Sequence, residues 1–204
     1  MNEIRRKVVL FDWDGVIAKR QNFKPIWDCL QEKYGIDQEK TKSAFKKVDL
    51  KYVEGKISNE IFWETICSDL RIECDKNYLN EVFFGSKSIN NYLLCAIKSM
   101  REKAYVGIVS NNFDLVRDKV LGDYNHQFDA FFFSCDTGYT KPSIKPFELA
   151  SKKFNVEFED MIFVDDDVKN LDVLKNIGIK TIHFKWDIPD TTHNLVEKIN
   201  GLIK

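Results

Sequence analysis

Carboxylates follow two apolar runs of the sequence. Asp12 and Asp14 come directly after KVVLF, and Asp165, Asp166 and Asp167 come directly after MIFV. Two carboxylates that are two residues apart on an extended chain point to the same side. Three consecutive carboxylates repel one another unless a cation neutralises them. If the two runs are neighbouring strands, the pattern predicts one cation site, and its oxygen ligands favour Mg²⁺ over Zn²⁺.

Each acidic motif also has a simpler interpretation. The stretch from Asp12 to Gly15 is also compatible with a surface turn whose two aspartates are solvated. The run from Asp165 to Asp167 is compatible with a solvated loop, in which Asp167 serves only as the N-cap of a following helix. Asp165 and Asp166 have no such simple role, so the cation site remains the stronger hypothesis for them.

Two further apolar runs end in groups that suit an anion. Ser110 and Asn111 follow YVGIV, where a hydroxyl and backbone N–H groups at a helix start can bind phosphate oxygens. Lys141, fixed by Pro142, can balance the charge of a carboxylate and a phosphate. Taken singly, these residues are also explained as ordinary helix caps and a solvated lysine.

The elements that must position these groups are short buried strands that alternate with helices. Apolar runs without alternation are typical of a parallel sheet covered on both faces. Strands alternating with helices of this length predict a doubly wound, Rossmann-like α/β fold. The predicted strands are Lys7–Phe11, Tyr105–Val109, Ala130–Phe133, Met161–Val164 and Lys180–Phe184. The predicted helices after the second strand are Phe113–Leu121, Lys145–Phe154, Val168–Ile177 and Thr191–Ile203.

The stretch between the first two strands is too long for one crossover helix, which needs only a dozen or so residues. It contains helical patterns and no convincing strand, with Ser58 and Asp75 as N-caps. The predicted helices are Phe23–Tyr34, Thr41–Val53, Asn59–Leu70, Lys76–Phe84 and Ile89–Lys103. We therefore expect a core formed by residues 1–18 and 87–204, and an all-helical cap formed by residues 19–86.

Composition excludes several classes of protein. The chain has 204 residues, of which 44% are hydrophobic and 31% charged, and its formal net charge is −1. This balance argues against a nucleic-acid binder, and no apolar run approaches the ~18 residues of a membrane span. The N-terminus lacks a secretory signal pattern. The five cysteines form no C-x-x-C pair, so we expect reduced thiols in a cytoplasmic protein.

The joint pattern resembles the haloacid dehalogenase-like hydrolase superfamily, most of whose members are Mg²⁺-dependent phosphatases. The four motifs of that family have counterparts in Asp12-x-Asp14-Gly15-Val16, in Ser110, in Lys141-Pro142 and in Asp165-Asp166. The likeness runs from Val8 to the last helix. The position of the insertion is similar to that of the family's small helical cap.

The resemblance implies a role for each site residue. Asp12 is the nucleophile, Asp14 the general acid and base, and Lys141 offsets negative charge. Ser110 and the Asn111 N–H hold phosphoryl oxygens. Mg²⁺ is bound by Asp12, the main-chain carbonyl of Asp14, and Asp166, with Asp165 supporting.

The implied activity is a phosphomonoesterase that forms an aspartyl-phosphate from a small phosphorylated metabolite, with sugar phosphates among the candidates. An acidic residue at position 14 fits an alkoxide leaving group, whereas halide needs no proton. Two alternatives stay open: a phosphomutase of the same family, and a non-catalytic member that binds a phosphorylated ligand or a protein. The sequence does not indicate the substrate or the oligomeric state.

Overall fold

Five parallel strands form a single sheet in the order β3-β2-β1-β4-β5. The computed structural model describes residues 6–20, 23–85, 88–186 and 188–204. The strands, all close to their predicted positions, are β1 Val8–Phe11, β2 Tyr105–Ser110, β3 Ala130–Phe133, β4 Met161–Asp165 and β5 Lys180–His183. This order is that of a doubly wound, Rossmann-like fold, so the predicted fold class is confirmed.

Helices occupy most of the remaining chain. In chain order they are α1 Lys24–Tyr34, α2 Gln38–Lys46, α3 Asp49–Val53, α4 Asn59–Leu70, α5 Lys76–Phe84, α6 Asn91–Met100, α7 Asp114–Tyr124, α8 Ser134–Thr137, α9 Lys145–Phe154, α10 Val168–Lys175 and α11 Thr191–Leu202. Helices α1–α5 lie between β1 and β2, and we call them the helical segment. Within the described residues, no helix is long and apolar enough to cross a membrane.

Strand β1 shows why the apolar runs lack alternation. All four of its residues are fully buried, because both faces of the sheet are covered. Val9 and Phe11 belong to the hydrophobic cluster that includes residues of α6, α7 and α11. Val8 and Leu10 belong to a second cluster with residues of α9 and α10. Successive side chains of a strand point to opposite faces, so each face of β1 takes part in a different core.

Local capping signals determine where the helices of the segment begin. The Ser58 side chain accepts a hydrogen bond from the Ile61 N–H, and the Asp75 side chain accepts two from the first turn of α5. Both predicted N-caps are therefore confirmed. The single helix predicted over residues 41–53 is instead two helices. Val48, which is 7% exposed, turns its side chain into the core with φ at −130° and thereby separates α2 from α3.

The chain leaves and rejoins the core at adjacent points. Ala18 is the antiparallel bridge partner of Ile89. The Lys19 N–H donates to the Ser88 carbonyl at 2.8 Å, and the Asn90 N–H donates to the Ile17 carbonyl at 2.8 Å. The predicted division into residues 1–18 and 87–204 on one side and 19–86 on the other stays a prediction. Its second boundary, between residues 86 and 87, lies outside the described residues.

The helical segment docks on the core through the end of α3. The Ser134 hydroxyl donates to the Val53 carbonyl at 2.7 Å. Gly55 has φ +69°, and a Cβ on this residue would overlap the Cys135 carbonyl. The Tyr52 ring stacks on Phe113, which follows β2, with their centroids 4.4 Å apart. A side chain at position 55 would therefore separate two backbones that are now in contact.

One expectation about the cysteines is wrong. Cys67 and Cys74 are joined in a disulfide, with their Cα atoms 6.4 Å apart. Arg71 ends α4 in the left-handed conformation, φ +55°, and turns the chain back so that the two residues approach each other. The other three cysteines, Cys29, Cys95 and Cys135, are free thiols.

Candidate active site

The register of the sheet brings the motif residues of β1, β2 and β4 to one edge. Phe11 pairs with Ile108 of β2 and with Val164 of β4. The Asp12 N–H then donates to the Val164 carbonyl at 2.9 Å, so Asp12 continues the line of β1 just beyond the strand. In open α/β sheets, ligands bind at the carboxyl ends of the strands. Asp12, Ser110 and Asp165 therefore meet where the fold places a site.

Asp12 lies at the centre of this group and is 5% exposed. Its Oδ1 accepts hydrogen bonds from the Ser110 hydroxyl at 2.8 Å and from the Trp13 N–H at 2.7 Å. Its Oδ2 pairs with the Lys141 ammonium at 2.8 Å. Three donors thus fix the carboxylate in one orientation, which is the condition for a positioned nucleophile.

Burial raises the pKa of Asp12 from 3.8 to about 6. Lys141 lowers this pKa, while the nearby Asp165 carboxylate raises it. Desolvation is the largest effect, because a buried carboxylate is more stable when protonated. The ionised form of Asp12 is therefore held in the site at an energetic cost, which a bound cation would reduce.

Lys141 is held between two carboxylates. It is 5% exposed, and its Nζ lies 2.7 Å from Asp165 Oδ2 as well as 2.8 Å from Asp12 Oδ2. Burial lowers the pKa of Lys141, but the ion pairs with Asp12 and Asp165 outweigh it, so the pKa is raised and the ammonium stays charged. The lysine therefore provides a fixed positive charge next to Asp12.

Asp165 is completely buried, and both of its oxygens are hydrogen-bonded. Its Oδ1 accepts from the Asp167 N–H at 2.7 Å, and its Oδ2 accepts from Lys141. The Asn170 amide, one turn into α10, donates to both oxygens at 3.2 and 3.1 Å. These contacts make Asp165 a counter-ion that holds Lys141 in position.

Asn111 connects the loop after β2 to the backbone of Lys141. Its Nδ2 donates to the Lys141 carbonyl at 3.0 Å, and its Oδ1 accepts from the Lys141 N–H at 2.7 Å. This paired contact fixes the loop that carries the lysine. It is a function of the side chain, whereas the predicted phosphate contact is made by the main-chain N–H and stays a prediction.

Asp14 is half-buried and faces the same edge. Its Oδ2 accepts from the Asn112 Nδ2 at 2.8 Å, and the same amide nitrogen donates to the Ser110 hydroxyl oxygen at 3.1 Å. Asn112 itself is 4% exposed. One amide thus connects Asp14 to Ser110, and through that hydroxyl to Asp12. The three residues are held as one hydrogen-bonded unit.

Asp166 lies against the turn that follows Asp12. Gly15 adopts φ +93°, and a Cβ on it would overlap the Asp166 carboxylate, so only glycine allows this approach. Burial raises the pKa of Asp166, while Arg20 lowers it. The Arg20 Nη2 lies 2.8 Å from Asp166 Oδ1.

Three carboxylates offer a set of cation ligands. Asp12, Asp165 and Asp166 each present one oxygen within 4.8 Å of the other two. Hard oxygen donors suit Mg²⁺, which binds through one or two carboxylates and keeps several waters. Asp165 is completely buried and accepts four hydrogen bonds, whereas Asp166 is half-buried, so Asp12 and Asp166 are the better placed pair. The side chain of Asp14 lies outside this set, and the predicted contact of its main-chain carbonyl with the ion stays a prediction.

The structure brings all the predicted site residues to one edge of the sheet, and Asp167 also caps α10 by accepting from the Lys169 N–H at 3.0 Å. Sequence reasoning did not identify Asn112, Asn170 or Arg20. The position of Asn112 beside Ser110 was a signal, but asparagine is common at such loop ends. No pattern in the sequence distinguishes Asn170 or Arg20 from other polar residues.

A comparison with models of protein families identifies the family of this chain. The model of haloacid dehalogenase-like hydrolases matches residues 6–178. The chain belongs to this family of hydrolases.

Several solved structures have a fold similar to that of this chain. The HAD family enzyme BT-2542 from Bacteroides thetaiotaomicron superposes with a TM-score of 0.81 at 19% identity, covering 93% of this chain and 98% of that one. Another structure of that enzyme is a complex with magnesium and inorganic phosphate. A 2-haloacid dehalogenase from Pseudomonas syringae pv. Tomato DC3000 superposes with a TM-score of 0.67 at 16% identity, covering 96% and 99% of the two chains. At these identities the likeness establishes the fold alone.

A curated relative contains more than this domain. The chain is 25% identical over 219 residues to bifunctional epoxide hydrolase 2 from Sus scrofa, which covers 96% of this chain. The chain spans 39% of the length of that protein. Activities of the whole relative therefore do not transfer to this chain.

Proposed function

We propose that this hydrolase is a Mg²⁺-dependent phosphomonoesterase that acts through an aspartyl-phosphate on a small phosphorylated metabolite. The observation that carries the proposal is the arrangement around Asp12. A buried carboxylate is held by Ser110 and Lys141, and Asp166 lies beside it. A second acidic residue, Asp14, is linked to Ser110 through the Asn112 amide. A nucleophile, an anchored positive charge and an acid in one hydrogen-bonded group are the parts that phosphate ester hydrolysis requires.

Each residue has a defined step in this proposal. The Asp12 carboxylate attacks phosphorus, and the bond from phosphorus to the ester oxygen breaks. Asp14 gives its proton to the departing alkoxide and later removes a proton from the water that hydrolyses the aspartyl-phosphate. Inorganic phosphate leaves, and Asp12 is restored as a carboxylate. The Asn112 amide, which holds Asp14 Oδ2 at 2.8 Å, orients the acid for both transfers.

Charge compensation is the second requirement. Asp12, Asp165 and Asp166 would repel an incoming phosphate dianion. Lys141 neutralises part of this charge. The Ser110 hydroxyl, which now donates to Asp12, can turn to donate to a phosphoryl oxygen of the substrate. A Mg²⁺ ion held by Asp12 and Asp166 would supply further positive charge to the phosphoryl oxygens. The oxygen donors of the site fit such an ion, and BT-2542, whose fold is similar, has been crystallised with magnesium and inorganic phosphate.

Position 14 favours phosphate esters over haloacids. Displacement of halide by a carboxylate needs no proton donor, whereas an alkoxide is a poor leaving group unless it is protonated. Asp14, which Asn112 and Ser110 connect to Asp12, is therefore suited to the cleavage of a phosphate ester. Asp14 therefore favours phosphatase activity over the halide displacement of the dehalogenase, whose fold is similar.

The experiment is a screen of several dozen phosphate esters, sugar phosphates included, with Mg²⁺ and with EDTA. We expect phosphate release that needs Mg²⁺ and falls by at least about 10⁴-fold in Asp12→Asn, because the nucleophile is lost. A parallel assay measures halide release from 2-haloacids. Halide release without phosphate release, or phosphate release that Asp12→Asn retains, would contradict the proposal. Transfer of phosphate within a hexose 1-phosphate would instead identify a mutase.

A further inference from the structure

A cavity of about 500 Å³ opens beside the candidate active site. Gly15 and Asp166, which border the catalytic group, belong to its lining. Arg20, which follows the turn after β1, and Lys185 and Trp186, which follow β5, also line it. The cavity therefore connects the reacting centre to a part of the chain that no catalytic role yet explains.

The charge and surface of this cavity suit an organic anion. Its described lining includes three cationic side chains, those of Lys19, Arg20 and Lys185, and one carboxylate, that of Asp166. A concave surface with an excess of one charge concentrates ligands of the opposite charge. Trp186, half-buried with its ring 6.3 Å from that of Phe184, adds an aromatic surface against which carbon atoms can pack.

The position of Arg20 in this cavity is not explained by a contribution to folding stability. Its side chain is 56% exposed, and its ion pair joins Nη2 to Asp166 Oδ1 at 2.8 Å. An ion pair whose arginine is this exposed adds little to folding stability, although the Asp166 side chain is only 20% exposed. A guanidinium binds carboxylates and phosphates through two parallel hydrogen bonds, so Arg20 is better suited to a ligand than to a surface contact. A cation bound to Asp166 would also compete with Arg20 for that carboxylate and leave the guanidinium available.

We propose that the cavity binds a second anionic group of the substrate, a carboxylate or a further phosphate carried by the leaving group. Arg20 makes the main contact, and Lys185 supports it. The inference rests on the proposed function and narrows its substrate class to phosphate monoesters of acidic alcohols. Esters whose leaving group is neutral would then be the weaker substrates.

The first test uses matched pairs of substrates. Phosphate esters of ω-hydroxy acids with two, three and four carbons are compared with alkyl phosphates of the same length, in the presence of Mg²⁺. At one or more of these lengths we expect kcat/KM to be at least about tenfold higher for the acid, the magnitude of one charge-assisted contact. Arg20→Gln should remove this preference through KM, and Arg20→Lys should retain part of it.

Lys180→Gln is the matched control, because Lys180 is exposed and begins the strand that Lys185 follows. It removes one positive charge at the opposite end of β5, and it should leave both activity and preference unchanged. No preference in wild-type enzyme at any length, or a preference that Arg20→Gln retains, overturns the inference.

The second test does not depend on turnover. Phosphonates with a P–C bond are titrated into wild-type protein with Mg²⁺ by calorimetry. Acids with one more carbon than each ester, such as 3-phosphonopropionate for the shortest, keep its spacing between phosphorus and carboxylate, and alkylphosphonates such as propylphosphonate are the neutral partners. The inference predicts at least about tenfold tighter binding of the acid at the preferred length, lost in Arg20→Gln and kept in Lys180→Gln. This binding preference without hydrolysis of any ester would support the cavity and contradict the phosphatase. Equal binding of both phosphonates at every length overturns the cavity proposal.

Discussion

Two groups of buried side chains in this molecule are held together for opposite reasons. In the helical segment, Phe62 is 1% exposed, stacks on Tyr52 at 4.3 Å between ring centroids and meets Phe45 edge-on at 5.4 Å. Burial there lowers the free energy of the folded chain. At the strand ends, burial raises the pKa of Asp12 to about 6 and makes its ionised form less stable. Burial alone therefore does not reveal a role. The role becomes visible when one asks whether burial stabilises or destabilises the buried group.

From this comparison we expect two kinds of substitution: some lower the rate of the reaction, and others lower the free energy of unfolding. Asp14→Asn belongs to the first kind. We expect kcat on an alkyl phosphate to fall by about 10²–10⁴-fold, the usual contribution of a general acid and base. The melting temperature should change little, because the residue is only half-buried. Steady-state assays with calorimetry on the same sample measure both quantities.

The leaving group provides the control for this prediction. p-Nitrophenolate leaves without protonation, so release of p-nitrophenol in the first turnover should be far less affected than turnover of the alkyl ester. Full activity of Asp14→Asn on an alkyl phosphate would remove Asp14 from the mechanism.

Phe62→Ala tests the aromatic cluster of the helical segment. Removal of a fully buried phenyl ring leaves a cavity, so we expect the free energy of unfolding to fall by about 3–5 kcal/mol. Denaturant titration measures it. Ile61→Ala, at the neighbouring and 48% exposed position of α4, is the matched control and should stay within about 0.5 kcal/mol of wild type. Equal losses in the two variants would show that the aromatic cluster is not the stabilising element proposed here.

The strand-end group should instead show itself in the pH dependence of stability. Asp12 has a folded pKa of about 6, above its ordinary value of 3.8. Between these values the unfolded chain is ionised while the folded chain retains the proton, so stability falls as pH rises through this window. With EDTA present, the Asp12 contribution should amount to about 3 kcal/mol at most, at 1.36 kcal/mol per pKa unit.

Asp12→Asn isolates this contribution, because the variant cannot titrate at position 12. Its free energy of unfolding between about pH 4 and 6 should fall less steeply than that of wild type. Mg²⁺ should offset the loss in wild type at pH 7, since a ligand that binds only the folded chain stabilises it. Parallel pH profiles for the two proteins would contradict the assignment of a raised pKa to Asp12.

Tyr52→Phe should have the smallest effect of the series. It removes the hydroxyl that donates to Asn59 Oδ1 at 2.8 Å and keeps the stacked ring. A single hydrogen bond of this kind contributes about 1 kcal/mol. Tyr92→Phe, on an exposed tyrosine, is the control and should lose less. A loss as large as that of Phe62→Ala would mean that the hydroxyl, and not the ring, holds this region together.

The strands and the catalytic motifs could be predicted because their signals are local. The buried run of β1 followed at once by Asp12 and Asp14 determines both the strand and the edge at which those carboxylates lie. Parallel pairing then brings Asp165 and Ser110 to the same edge without further information. The N-caps Ser58 and Asp75 are local in the same sense, because each side chain bonds to its own helix.

The contacts that hold the site together were not predictable in this way. Asn112 bonds to Asp14, 98 residues away in the sequence. Asn170 bonds to Asp165, only five residues away, but through a side-chain conformation that the residue pattern does not specify. The pairing of Cys67 with Cys74 depends on the left-handed conformation of Arg71, which few non-glycine residues adopt. Periodicity carries no information on such contacts.

The adjacent exit and return of the helical segment have a consequence for how this architecture can change. Because Ala18 and Ile89 are bridge partners, a short turn between them would close the chain without disturbing any strand. In topological terms, the chain between Ala18 and Ile89 is one long loop that leaves and re-enters the core at a single point. We expect changes within that loop to leave Asp12, Ser110 and Lys141 in place, because Ser110 and Lys141 both contact Asp12 and all three lie outside it. Variation of the helical segment would therefore act on the surroundings of the site and not on the residues that we propose for the reaction.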